Sequence, residues 1–182
     1  GKFDLVEKDN PINCWIYSAA DGWGSHGPET LETAIRDSCN FYFNTVGYYL
    51  GQNENGEYVG DMTLLNKYAE MYGFDSTSGI EISEMDPQIA TADPTRAAMG
   101  QSNNAFTTSQ LARYVTTLAN SGTCYDLTLL DKITDASGNT QEEPDPVVHN
   151  RLELPQDLWT TIHAGMHDVT INNGNGIFAN LQ

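Results

Sequence analysis

Two helix-forming stretches meet at a joint of three residues, Ser38-Cys39-Asn40, and this constrains the chain more than any other feature. Ahead of the joint, Pro28 stands at a first-turn position, Glu29 and Glu32 follow, and Leu31, Ala34 and Ile35 fall on one side at helical spacing. That pattern predicts a short helix over residues 28–37. Behind the joint, Asn40 is a favoured N-cap, because its side-chain oxygen can accept an orphan backbone N–H, and it predicts a helix from Phe41 to Leu50 that closes at Gly51. Residues two apart on one continuous helix face largely different ways. A turn at this joint can aim Ser38 and Asn40 to the same side.

The same punctuation divides the rest of the chain. Residues 1–27 mix aromatic residues with the turn formers Asn10-Pro11, Asp21-Gly22 and His26-Gly27, and predict loop with short extended pieces. After a polar loop over 51–60, Asp61 predicts the start of a third helix whose Leu64, Leu65, Tyr68, Ala69 and Tyr72 share a core-facing side before Gly73 ends it. From 74 to 100, Pro87 and Pro94 exclude a long helix, while Ile80 and Ile82 alternate across Glu81 as in a short strand. Thr107 and Gln110 stand in capping-box register, with Leu111, Val115, Leu118 and Ala119 as the expected buried face and Gly122 as the stop. Residues 126–134 predict a strand running into a turn at 135–139, and 141–150 a surface connection. A last helix starts near Pro155, carries Leu158, Ile162, Met166 and Val169 in register, and cannot continue through the Gly- and Asn-rich 172–176. The expectation is a mainly α fold with a few short strands, with residues 1–182 forming part of a single domain.

Charge excludes several functions. The 25 acidic residues against 8 basic give a net charge of -17, and affinity for nucleic acids or anionic membrane surfaces comes largely from Lys and Arg, so both are poor candidates as partners of this chain. Cys14, Cys39 and Cys124 are widely and unequally spaced, with no C-x-x-C pair and no histidine at zinc-finger distance, which encodes neither a metal site nor a disulfide framework. One disulfide fits the count; Cys14 and Cys39 are expected to stay free, since Cys39 lies in the joint. His163 and His167 stand four apart, but Ala164 follows His163 where a zinc protease has its glutamate base, so no metal is assigned to them. Gly174-Asn175-Gly176 and Ala179 read as a turn rather than a dinucleotide loop. Tyr42, Tyr48, Tyr49 and Trp159 are expected to fill core, with a ligand groove as the alternative. No apolar run approaches the ~20 residues of a membrane span, and the start at Gly1-Lys2-Phe3-Asp4 has neither Met nor a signal pattern. The chain reads as an excerpt from a longer one.

The segment from Leu31 through Ser38-Cys39-Asn40 to Phe43 resembles the stretch around the S-x-N motif of class B penicillin-binding proteins. Cys14-Trp15 and His26-Gly27 also resemble that family. Tyr72-Gly73-Phe74-Asp75-Ser76-Thr77-Ser78-Gly79-Ile80 is similar to its F-G-x-G-x-x-T-G-I segment, Gly100-Gln101-Ser102 with Phe106 to Ala112 to its G-Q...T-P-x-Q-L-A segment, and Gly165-Met166 to its final helix. The matches run in the family's order through nearly the whole chain, and that order carries far more weight than S-x-N alone. Thr108 stands where the family usually has Pro, and either residue suits a first helical turn.

The resemblance implies the helical lobe of the α+β fold shared by serine transpeptidases and β-lactamases, in which S-x-x-K, S-x-N and K-T-G elements meet in one cleft. It implies catalytic roles for Ser38, whose hydroxyl can both donate and accept in a proton relay, and for Asn40, whose amide can hold a substrate carbonyl. The implied parent is an extracytoplasmic, membrane-tethered serine D,D-transpeptidase acting on peptidoglycan stem peptides and acylated by β-lactams, meeting other cell-wall synthesis proteins and needing no cofactor. A non-catalytic cell-wall scaffold of the same fold, or a β-lactamase or β-lactam sensor, are the alternatives. No Ser here has Lys three positions later, and no Lys begins K-T-G or K-S-G, so this stretch alone is expected to be inactive.

Overall fold

The computed structural model describes residues 2–6, 11–18 and 20–172; the turn expected at Gly174-Asn175-Gly176 with Ala179 lies outside them. The first elements are β1 (Lys2–Phe3), β2 (Ile12–Asn13), α1 (Leu31–Arg36), α2 (Asn40–Leu50) and α3 (Thr63–Ala69), which runs into a π-helical turn, Glu70–Phe74. There follow α4 (Pro94–Ala97), α5 (Thr108–Ala119), β3 (Thr123–Tyr125), β4 (Ile133–Thr134), β5 (Thr140–Glu142), β6 (Val148–Arg151) and α6 (Gln156–Asn172). The strands form short antiparallel pairs, β1 with β2, β3 with β6 and β4 with β5, so the mainly helical expectation holds. The chain divides into two compact units: Gly1–Leu65 with Ala90–Asn103 and Leu154–Gln182, and Asn66–Ile89 with Asn104–Glu153.

In the first unit α1 lies along α6 and α2 along α4, and a glycine makes each approach close. A Cβ on Gly165 would stand 2.8 Å from the Glu32 carbonyl oxygen, and one on Gly47 would stand 2.3 Å from that of Pro94. Glycine inside a helix costs about 0.5–1 kcal/mol relative to alanine, and here the contact between backbones offsets it. Buried Cys14, Ala34 and Cys39 form a small core with Tyr42 and Phe43 packed on it. Trp159 is buried, Tyr48 stacks on Tyr58 at 5.1 Å, and Tyr49 is exposed. The helix α1 begins later than Pro28 suggests. Thr30 caps it, accepting from the Thr33 N–H while the Thr33 hydroxyl accepts from the Thr30 N–H, so residues 28–29 remain outside.

In the second unit the capping box at Thr107 and Gln110 forms as expected, with the Thr107 N–H donating to Gln110 Oε1 at 2.8 Å. The buried face of α5 differs from expectation. Leu111 and Val115 are exposed, and the buried side chains are Gln110, Arg113 and Thr117. The reason is hydrogen bonding. Arg113 donates to the carbonyls of Gly73, Ser76 (2.9 Å) and Thr77 (3.0 Å), while Gln110 Nε2 donates to the Met85 carbonyl at 2.8 Å. Glu84 accepts from the Ser78 N–H and from the Thr107 and Ser109 hydroxyls, tying the start of α5 to the same loop.

Other boundaries moved for physical reasons. The helix α5 ends at Ala119, before Gly122, because Ser121 adopts φ 63° and the Gly122 N–H returns to the Thr117 carbonyl at 2.8 Å. No strand forms at Ile80–Ile82, and within 126–134 only β4 is extended in a ladder. Loop meets loop instead: the Leu127 N–H donates to the Ser78 carbonyl, and Glu81 accepts from the Leu129 N–H and the Thr128 hydroxyl. The turn at 135–139 is present, with the Asp135 N–H donating to the Asn139 carbonyl at 2.9 Å. Asp61 accepts from the Thr63 N–H and hydroxyl as a start signal, but α3 buries none of its residues, with Leu64 and Tyr68 both exposed. A helical period shows that a face is apolar and says nothing about what covers it. No helix among the described residues is long and apolar enough to cross a membrane.

Candidate active site

Ser38 occupies a strained position created by the way α1 ends. The Ser38 N–H donates to the Ile35 carbonyl at 3.2 Å and the Cys39 N–H to the Ala34 carbonyl at 2.9 Å, the paired closing bonds of a Schellman motif. That motif requires a left-handed residue between the two, usually glycine, and here Ser38 takes it at φ 49°. Left-handed backbone costs an L-residue about 1–2 kcal/mol, so a serine at this place holds strain that glycine would relieve. Its side chain is exposed and has no hydrogen-bond partner among the described residues.

The tight turn leaves Cys39 as the only extended residue before α2, and this shifts Asn40 by one place. Cys39 is the N-cap, with no side-chain bond to the helix, and Asn40 is the first helical residue. The expected cap at Asn40 is therefore absent. Its half-buried amide, like the Ser38 hydroxyl, has no partner among the described residues. Both groups named from the sequence thus sit on one short turn with their hydrogen-bonding capacity unused.

The surroundings of the turn are firmly held. Arg36 and Asp37 form a two-pronged ion pair with both contacts at 2.8 Å, and the Arg36 guanidinium holds the Asp37 carboxyl below the usual carboxylate range. The Trp15 indole N–H donates to the Asp37 carbonyl at 2.9 Å. Beneath the turn, Cys14 Sγ lies 4.0 Å from Cys39 Sγ and 3.6 Å from His26 Nδ1, which is 3.8 Å from Glu29 Oε1. Burial pushes the Cys39 thiol pKa up. The ligand atoms of Cys14, His26 and Cys39 all lie within 4.8 Å of one another, a donor set that could hold a thiophilic ion such as Zn²⁺. Linear spacing misses this group, because its members stand 12 and 13 positions apart and only the fold brings them together.

A cavity of about 420 Å³ opens beside this cluster, lined in part by His26, Glu29, Cys39, Phe41, Tyr42 and Tyr49. Tyr49 thus takes the groove alternative that the sequence left open, while Tyr42 packs on the core and also borders the cavity; Ser38 and Asn40 do not line it. Among the described residues His163 and His167 join no metal-ligating group, and His163 stands near the Trp159 ring.

Known proteins share this arrangement of elements. Residues 4–181 match the penicillin binding protein transpeptidase domain. The chain is 27% identical over 170 residues to peptidoglycan D,D-transpeptidase MrdA of Haemophilus influenzae, covering 83% of this chain and 24% of that protein. Among solved structures it is similar to penicillin-binding protein 2B of Streptococcus pneumoniae, with TM-score 0.70, 25% identity, and coverage of 91% of this chain and 29% of that one. The fold is also that of penicillin-binding protein A of Mycobacterium tuberculosis, solved as an imipenem acyl-enzyme, at TM-score 0.68 and 17% identity over 93% of this chain and 37% of that one. The chain thus spans about a quarter of the curated relative's length. It belongs to the penicillin-binding protein transpeptidase domain family, in its class B branch.

Proposed function

We propose that this chain supplies the S-x-N element of a serine-type D,D-transpeptidase that cross-links peptidoglycan stem peptides and is acylated by β-lactams. The observation that carries the reading is Ser38, a non-glycine residue in a left-handed turn with its hydroxyl exposed and unpartnered. Strain of this kind persists where the surroundings impose it, and it clusters at working sites. In the reaction, a nucleophilic serine from an S-x-x-K element attacks the carbonyl of the penultimate D-alanine, and the terminal D-alanine leaves as its amine. The Ser38 hydroxyl accepts the proton passed from the nucleophile's base and donates its own to the departing nitrogen, so no net proton is consumed. The Asn40 amide donates to a substrate carbonyl and holds the peptide in line.

Residues 1–182 then form part of one transpeptidase domain, with S-x-x-K and K-T-G contributed by sequence this chain does not contain. The parent works outside the cytoplasmic membrane, tethered to it, alongside other cell-wall synthesis proteins. Intact-mass spectrometry with a labelled penicillin tests this: the full-length protein should take up one adduct and the 182-residue chain none. Stoichiometric acylation of the chain alone would overturn the assignment of Ser38 as a relay and make it a candidate nucleophile.

A further inference from the structure

Trp15 is 64% exposed; its ring lies 5.4 Å from that of His26, and its N–H reaches the turn that carries Ser38. The peptide plane between Asp37 and Ser38 carries two polar groups, the Asp37 carbonyl and the Ser38 N–H. The N–H is held from below by the Ile35 carbonyl at 3.2 Å, and the carbonyl is held from outside by the Trp15 indole at 2.9 Å. With both ends fixed, the plane cannot swing, and its orientation sets φ of Ser38. The next plane is fixed in turn, because the Cys39 N–H donates to the Ala34 carbonyl at 2.9 Å while the Cys39 side chain packs at 4.0 Å on Cys14, the residue preceding Trp15. The dipeptide Cys14-Trp15 thus braces both neighbours of Ser38.

We propose that Trp15 is a positioning residue for the transpeptidase site, holding Ser38 in its left-handed turn through the Asp37 carbonyl. The inference rests on the reading of Ser38 given above. Without the indole N–H, water satisfies the Asp37 carbonyl, the peptide plane can rotate, and Ser38 can leave the strained region, carrying its hydroxyl out of line. A small displacement of a catalytic group slows chemistry more than it weakens substrate binding.

The test replaces Trp15 in the full-length protein with β-(3-benzothienyl)alanine, which keeps the bicyclic ring and substitutes sulfur for the N–H, and with Phe as a second variant. Acylation by a labelled penicillin is followed over a range of concentrations beside Ser38→Ala, with circular dichroism confirming the fold. The inference expects the limiting acylation rate of the isostere to fall about 5- to 10-fold, the scale of one lost hydrogen bond, at unchanged half-saturating concentration. A changed half-saturation with a normal limiting rate would make Trp15 a substrate contact and overturn the inference. So would a wild-type rate in the isostere while Ser38→Ala is slow. A normal rate in Ser38→Ala removes the underlying site reading itself.

Discussion

Replacing Ser38 by glycine should make the protein more stable and less active at once. Ser38 lies at φ 49° in a motif that ordinarily selects glycine. Left-handed backbone costs an L-residue about 1–2 kcal/mol, and glycine's greater freedom in the unfolded chain returns part of the gain, leaving a net stabilisation of about 1 kcal/mol. For a domain of this size that raises Tm by about 2–4 °C. The same change deletes the hydroxyl, and loss of one acid–base group slows a reaction by about 100- to 10,000-fold. Thermal unfolding and penicillin acylation, measured on the same full-length preparation, read the two effects separately. Ser38→Ala keeps the strained backbone and should lose the activity without the gain in Tm. A Ser38→Gly protein that acylates near the wild-type rate, or that unfolds at a lower temperature than wild type, would refute the argument that strain is retained here for the hydroxyl.

Other residues give independent checks. Arg113→Met leaves the carbonyls of Gly73, Ser76 and Thr77 without their donor, and urea denaturation should show a loss of about 3 kcal/mol or more; a loss under about 1 kcal/mol would contradict the role given to that side chain. Burial pushes the pKa of Glu84 up, but hydrogen bonds from Ser109, Thr107 and Ser78 outweigh it and hold the carboxyl at about 2 against an ordinary 4.5. Its contribution is therefore present above pH 4.5 and lost as pH falls towards 2, so Glu84→Gln should flatten the stability profile in that window, and an unchanged slope would count against the network. Burial also raises the Cys39 and Cys124 thiols and hides Cys14, so an aromatic disulfide reagent should react with the three only on unfolding; rapid labelling of Cys39 in the native state would contradict the packing beneath the turn.

Features written in local chemistry were legible in the sequence. The end of α2, the capping box of α5 and the start of α6 follow from Gly51, from Thr107 with Gln110, and from Pro155, each acting within one turn of itself. Features decided by distant partners were not. The buried face of α5 is polar because Arg113 meets carbonyls 36–40 positions away, and apolar periodicity selects Leu111 and Val115 instead. Ile80 and Ile82 alternate as a strand would, yet a strand needs a ladder, and Glu81 spends its carboxylate on residues 128–129. At the site, Ser38 and Asn40 were found through the family's motif order, while the left-handed φ of Ser38 and the loss of the cap at Asn40 follow from a turn one residue tighter than the cap pattern implies.

The most direct test of the S-x-N assignment is the rate at which the full-length protein releases D-alanine from a stem pentapeptide, measured for wild type and Asn40→Ala with Tm determined on both. Asn40 caps nothing, so the account expects its Tm to stay within about 1–2 °C of wild type, the shift that ~0.5 kcal/mol would give in a domain of this size. Release should fall by about 100-fold or more. An Asn40→Ala protein that releases D-alanine at the wild-type rate would contradict the account, and the turn between α1 and α2 would then be a structural joint alone.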